Sequence, residues 1–111
     1  MMKEDKTKTF SDRAYDLLRK VPKGRVTTYK EIANALGTKA YRGVGQAMKR
    51  NPYAPEVPCH RVVTTSGRIG GFQGETSGKS IEKKIKMLKE EGVEVRDGRI
   101  KNFKKILYRF S

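Results

Sequence analysis

Cys59 is the residue best suited to covalent chemistry in this sequence. It lies in the run Pro58-Cys59-His60-Arg61-Val62, and it is the only cysteine, as His60 is the only histidine. A thiolate is a strong nucleophile, and cationic or hydrogen-bonding neighbours favour thiolate over thiol. Pro58 restricts the backbone on one side, and His60 and Arg61 supply polar groups on the other. The alternative is a small buried hydrophobe, the commonest fate of a lone cysteine. A structural zinc needs more ligands than one Cys and one His. Adjacency does not bring the two side chains together either, because neighbours on a strand face opposite ways. A Cys–His hydrolase fits these residues but leaves the charge described next without a role.

The chain has 111 residues, with 26 Lys and Arg against 12 Asp and Glu, a net charge of +14. That excess fits a polyanionic partner; the alternative is a basic surface that only keeps the protein solvated. The length predicts one domain burying about two-thirds of the surface its unfolded chain exposes. No apolar run approaches the ~20 residues of a membrane span, and the polar residues 1–9 lack the apolar stretch of a secretory signal. A single cysteine precludes an intramolecular disulfide and suits a reducing compartment.

These residues must be positioned by several short elements. Residues 1–9 read as a tail. A first helix is predicted over Ser11–Lys20, with Ala14, Leu17, Leu18 and Val21 on one face, Ser11 as its cap, and Phe10 with Tyr15 as a hydrophobic staple. A second is predicted over Tyr29–Leu36, opened by Thr28 and Glu31 as a capping box and closed by Gly37. A third carries Tyr41, Val44, Ala47 and Met48 inward and stops at Asn51-Pro52. The last two fit a helix-turn-helix or any αα-hairpin. Arg42, Lys49 and Arg50 mark the third helix, and no acidic residue lies between Lys39 and Pro55.

Beyond it, prolines and glycines predict shaped loops around a short strand over Arg61–Thr64. A fourth helix is predicted over Ile81–Glu91, with lysines 79, 83, 84, 86 and 89 read as its solvated face. Asp97-Gly98 signals a hairpin turn, and Phe103, Ile106, Leu107 and Phe110 space as a last amphipathic helix.

The run Pro58-Cys59-His60-Arg61-Val62-Val63 resembles the active-site signature of the O6-alkylguanine-DNA alkyltransferases. Arg42-Gly43-Val44-Gly45-Gln46-Ala47-Met48-Lys49-Arg50-Asn51-Pro52 resembles their recognition helix and the Asn-Pro after it. Gly24-Arg25-Val26-Thr27-Thr28-Tyr29 resembles the segment entering their helix-turn-helix. The resemblance spans residues 10–92 and keeps the motifs in order.

The resemblance implies roles for named residues. Cys59 would be the alkyl acceptor, His60 the base acting through a water, and Glu91 the carboxylate orienting His60. Asn51 would tie the helix-turn-helix to the active-site segment. Arg42 would enter the duplex where the target base leaves, and Tyr29 would help rotate the nucleotide out. Gly43, Gln46, Lys49 and Arg50 would face DNA with them, and Met48, Val62, Phe72 and Gln73 would line the pocket. It implies no metal and no cofactor, a monomer acting on duplex DNA containing O6-alkylguanine through the minor groove, and a cytoplasmic, nucleoid-associated or nuclear setting.

Base flipping is a physical requirement of this chemistry, since the O6-alkyl carbon lies inside the base stack. Two departures stand out. Phe72 replaces a common Tyr and Gln73 a small hydroxyl residue, and the match is expected to begin at Phe10, without the family's N-terminal domain. Relatives termed alkyltransferase-like proteins bind the lesion but replace the cysteine, commonly with Trp. The expected fold is mainly α with short β elements, a winged-helix-like helix-turn-helix domain carrying an active-site cysteine loop. Residues 93–111 are expected to add a hairpin and helix to the same domain.

Overall fold

The computed structural model describes residues 9–72 and 78–110. Helix α1 spans Phe10–Leu18. Its cap is Thr9, not Ser11: the Thr9 hydroxyl accepts from the Asp12 amide, and the Asp12 carboxylate accepts from the Thr9 amide, both at 3.1 Å. This reciprocal box needs an acid three residues after the cap; Ser11 would find Ala14 there. Tyr15 consequently forms no staple and is buried, its hydroxyl donating to the Ala47 carbonyl at 2.7 Å. The helix stops short of Lys20 because the amides of Lys20 and Val21 tighten onto Leu17 and Leu18 before Pro22.

Strand β1, Thr27–Thr28, runs directly into helix α2, Tyr29–Ala35. The Thr28 hydroxyl accepts from the Glu31 amide at 3.0 Å. After α2 the chain turns at Gly37, whose φ of +73° is the left-handed conformation glycine adopts freely. The amides of Gly37 and Thr38 close onto Asn34 and Ala33 in a Schellman cap. Helix α3 spans Tyr41–Lys49, and α1, α2 and α3 pack mutually. Their core includes Ala14, Leu18, Ile32, Ala33, Val44 and Ala47.

Only Val62–Val63 of the expected strand pairs, as β2, lying parallel to β1 with Thr27 opposite Val62 and Thr28 opposite Val63. The two valines point to opposite faces, as strand neighbours must. Val62 joins the three-helix core, whereas Val63 joins a second core with Val26, Leu88, Val93 and Ile100. Each buried valine contributes about 1.5–3 kcal/mol.

Helix α4 spans Lys79–Glu90, two residues ahead of the expected start, and a second Schellman cap at Gly92 (φ +87°) ends it. Strands β3, Val95–Arg96, and β4, Arg99–Ile100, form the expected hairpin. Asp97 and Gly98 both have positive φ, as a type I′ turn demands.

The last helix is shorter than its spacing suggests. Helix α5 covers only Phe103–Ile106. Leu107 bridges Val26 in parallel, the Tyr108 amide donates to the Val26 carbonyl at 2.7 Å, and the Val26 amide donates to Ile106. Arg25 takes the carbonyls of Ile106 and Leu107 at 3.1 and 2.7 Å. Continuing the helix would forfeit these bonds, so tertiary pairing overrides the helical spacing of Leu107 and Phe110. Among the described residues no helix is long and apolar enough to cross a membrane.

Candidate active site

Cys59 opens a 3₁₀ turn, Cys59–Arg61, where a strand had been expected from Arg61. The turn forms because the Cys59 amide donates to Val57 at 2.8 Å and the Arg61 amide to Pro58 at 2.9 Å. Successive side chains of a 3₁₀ turn diverge by a third of a revolution. Cys59 and His60 can therefore both be buried while meeting different neighbours.

Asn51, at the end of α3, fixes the approach to this turn. Its side-chain amide donates to the Val57 carbonyl at 2.8 Å, and its oxygen accepts from the Tyr53 amide at 2.9 Å. One side chain thus joins the helix-turn-helix to the peptide two residues before Cys59.

His60 faces the end of α4. Its Nε2 lies 2.9 Å from Glu91 Oε2. Burial holds the imidazole pKa below its ordinary 6.5, although the Glu91 carboxylate pulls the other way. A neutral imidazole can accept a proton at neutral pH. Arg61 completes the arrangement. Its Nε and Nη2 donate to Glu91 at 2.8 and 2.7 Å, and its Nη1 donates to the Val21 carbonyl at 2.7 Å. Burial disfavours the Glu91 charge, but the bonds from Arg61 and His60 outweigh it and hold the carboxyl below 4.5.

Both shifts favour proton binding by the unfolded chain, so acid destabilises the fold. Urea titrations are expected to lose stability as pH falls through 6.5, when the unfolded histidine protonates first, and again below 4.5 through Glu91. Glu91→Gln should remove the lower limb of that profile.

Tyr29 is half-buried at the start of α2 and packs against the core that holds Cys59. Burial raises its pKa, and negative charge on Cys59 raises it further, so its hydroxyl keeps its proton. Met48, Val57, Val62 and Phe72 belong to the same buried cluster as Cys59. Gln73 lies outside the described residues. Arg42, Gln46, Lys49 and Arg50 are exposed along α3, whereas Gly43 is half-buried with its Cα against α1. A Cβ at Gly43 would meet the Phe10 ring at 3.3 Å.

Lys84 corrects the reading of α4 as carrying only solvated lysines. It is fully buried. Its ammonium donates to the carbonyls of Val62, Ile69 and Gly71 at 2.7, 2.5 and 2.9 Å. The residues after Cys59 and before Phe72 are therefore clasped to α4 by one cation. The signal was legible: Lys84 stands three residues after Ile81 and four before Leu88, on the apolar stripe. Nothing in the spacing announced Arg61 as a partner of Glu91, since thirty residues separate them.

Residues 9–93 match the family model described as the DNA binding domain of 6-O-methylguanine DNA methyltransferase. The chain belongs to this family. It is 44% identical over 86 residues to a methylated-DNA–protein-cysteine methyltransferase of Metallosphaera sedula, covering 78% of this chain and 51% of that one. The crystal structure of O6-methylguanine-DNA methyltransferase from Pyrococcus kodakaraensis matches with a TM-score of 0.66 and 45% identity, over 78% of this chain and 47% of that one. The chain thus spans about half the length of these methyltransferase relatives. S. pombe Atl1, crystallised with damaged DNA containing O6-carboxymethylguanine, matches with a TM-score of 0.77 and 32% identity, over 98% of this chain and all of that one.

Proposed function

We propose that this protein repairs O6-alkylguanine in duplex DNA by transferring the alkyl group once, irreversibly, to Cys59. The observation that carries the reading is the buried Cys59 turn, anchored by Asn51 on one side and followed by the His60–Glu91 pair on the other. The family membership and the named relatives support it. In this mechanism α3 enters the minor groove, Arg42 occupies the space the base vacates, and Tyr29 guides the nucleotide outward. His60 takes the thiol proton through a water, with Glu91 and Arg61 fixing its ring. The Cys59 sulfur attacks the alkyl carbon as the carbon–O6 bond breaks, and Tyr29 supplies a proton to the leaving guanine. The thioether product is inert, and none of the described residues is arranged to reverse it.

Intact mass after incubation with excess methylated duplex tests this. One added methyl on Cys59, stopping at one equivalent, is expected; repeated turnover, or a methyl on another residue, defeats it. No mass change favours the second reading, a lesion-binding protein that flags damage for another pathway. A specific observation supports that alternative: the likeness to Atl1 runs over nearly the whole chain. The retained cysteine weighs against it.

Arg42→Ala is expected to separate extrusion from chemistry. Reaction with a duplex should slow at least about tenfold, because flipping costs a few kcal/mol. Reaction with free O6-benzylguanine should stay near wild type. Equal loss on both substrates would place Arg42 in the pocket or the fold instead.

A further inference from the structure

The proposed chemistry leaves the cations of the C-terminal segment unused. Residues 96–109 hold Arg96, Arg99, Lys101, Lys104, Lys105 and Arg109 against the single acid Asp97. Arg96 and Lys101 lie 3.8 and 3.7 Å from Glu94. Among the described residues, neither Lys104 nor Lys105 has an ion-pair partner, and both are exposed.

This segment is not a loose tail. The bonds from Arg25 to Ile106 and Leu107, and from the Tyr108 amide to Val26, fasten it alongside β1. The Thr27 hydroxyl adds a bond to the Tyr108 carbonyl at 3.0 Å. Because β1 continues into Tyr29, Lys104 and Arg109 are held beside the start of α2. There they wall a 450 Å³ cleft with Lys30 and Thr65. Thr28 and Glu31 also line it, so three cations face one carboxylate, which Arg109 approaches to 3.9 Å. Lys30 and Thr65 are shared with a second recess, of 380 Å³, whose other walls are Tyr29 and Tyr41. The cationic cleft therefore adjoins the recess walled by Tyr29, the tyrosine that guides the extruded nucleotide.

Ammonium and guanidinium groups with a nearby hydroxyl are the partners of phosphate oxygens in protein–DNA contacts, and they set the path of a strand without reading its sequence. We propose that Lys30, Thr65, Lys104 and Arg109 form a track for the sugar-phosphate backbone leaving the extrusion site, making the C-terminal segment a second DNA-contacting element beside α3. This rests on the DNA-repair reading above. It also extends the interface past residue 93, where the family match ends.

The test compares two double variants of the full chain carrying the same change in charge. Lys104→Gln/Arg109→Gln removes cations from the cleft. Lys86→Gln/Lys89→Gln removes exposed lysines of α4 that do not line it. Affinity for an unmodified duplex is measured from about 50 to about 200 mM salt, where log affinity falls by about 0.9 per neutralised phosphate for each unit of log salt. The cleft variant should flatten that slope by up to about 1.8, because two phosphates are no longer neutralised, while the α4 variant leaves it within error. Equal flattening by both variants would reduce the effect to general charge and overturn the track, as would no flattening by either. Both variants should react normally with free O6-benzylguanine, which never touches the track. If the wild-type protein fails to react with that base, the transfer reading fails, and the salt slopes still decide the track.

Discussion

Cys59→Ala is expected to abolish alkyl transfer while leaving affinity for the alkylated duplex near wild type. The thiolate sulfur is the strongest nucleophile in the cluster, and the thioether it forms is stable. Tyr29, Arg42 and the exposed residues of α3 are untouched by the change. The turn should survive as well, because its bonds run through the backbone of Val57, Pro58 and Arg61 and the side chain of Asn51. Removing a buried thiol leaves only a small void, at a cost of about 1 kcal/mol. Intact mass and gel-shift titration on one preparation check both halves. Residual methylation of the variant would mean that another residue accepts the group. Loss of binding together with transfer would mean that the thiol shapes the pocket.

The second large effect is on stability. Lys84→Met preserves length and apolar reach but withdraws the ammonium donors from the carbonyls of Val62, Ile69 and Gly71. An orphaned buried acceptor costs about 1–3 kcal/mol, so a loss of about 3 kcal/mol or more is expected in urea unfolding at neutral pH. The pH dependence distinguishes the cation from the packing. Burial lowers the Lys84 pKa to about 7, with negative charge on Cys59 acting in the opposite direction. Above that pH the unfolded chain holds the proton more tightly than the folded one. Wild-type stability should therefore gain on raising pH from 7 toward 10.5, a gain the methionine variant lacks. A cost below about 1 kcal/mol would show that water replaces the ammonium at these carbonyls.

Local signals located the helices well and their ends less well. Gly37, Gly92 and the Asp97-Gly98 turn were legible because positive φ restricts residue choice strongly. Thr9 was not, since its cap depends on Asp12 and Ser11 offers a competing hydroxyl nearby. Two errors have different physical causes. The Cys59–Arg61 turn closes through local bonds, from the Cys59 amide to Val57 and from the Arg61 amide to Pro58, with Asn51 holding Val57 from six residues away. The extended run after Ile106 is set by partners distant in sequence, Arg25 and Val26. Alternation and helical spacing contain no information on such bonds. The candidate site divides the same way. Cys59 and His60 were readable as a local motif, Asn51 and Glu91 through resemblance, and the burial of Lys84 from its place on the apolar stripe of α4, whereas the role of Arg61 emerges only when α4 packs against the turn.

The fastening of Ile106–Tyr108 along β1 also sets the order in which this protein can finish folding. Arg25 and Val26 meet partners 80 to 82 residues later, so most of the chain is one closed loop. Loop closure of this length costs entropy that local helices avoid, and distant pairings form late. During synthesis the cysteine turn and the three N-terminal helices leave the ribosome well before residue 106. The outer edge of β1, one residue from Tyr29, then waits unpaired until translation has passed Tyr108. A nascent chain stalled before that point would present its nucleophile on a scaffold still open along one side.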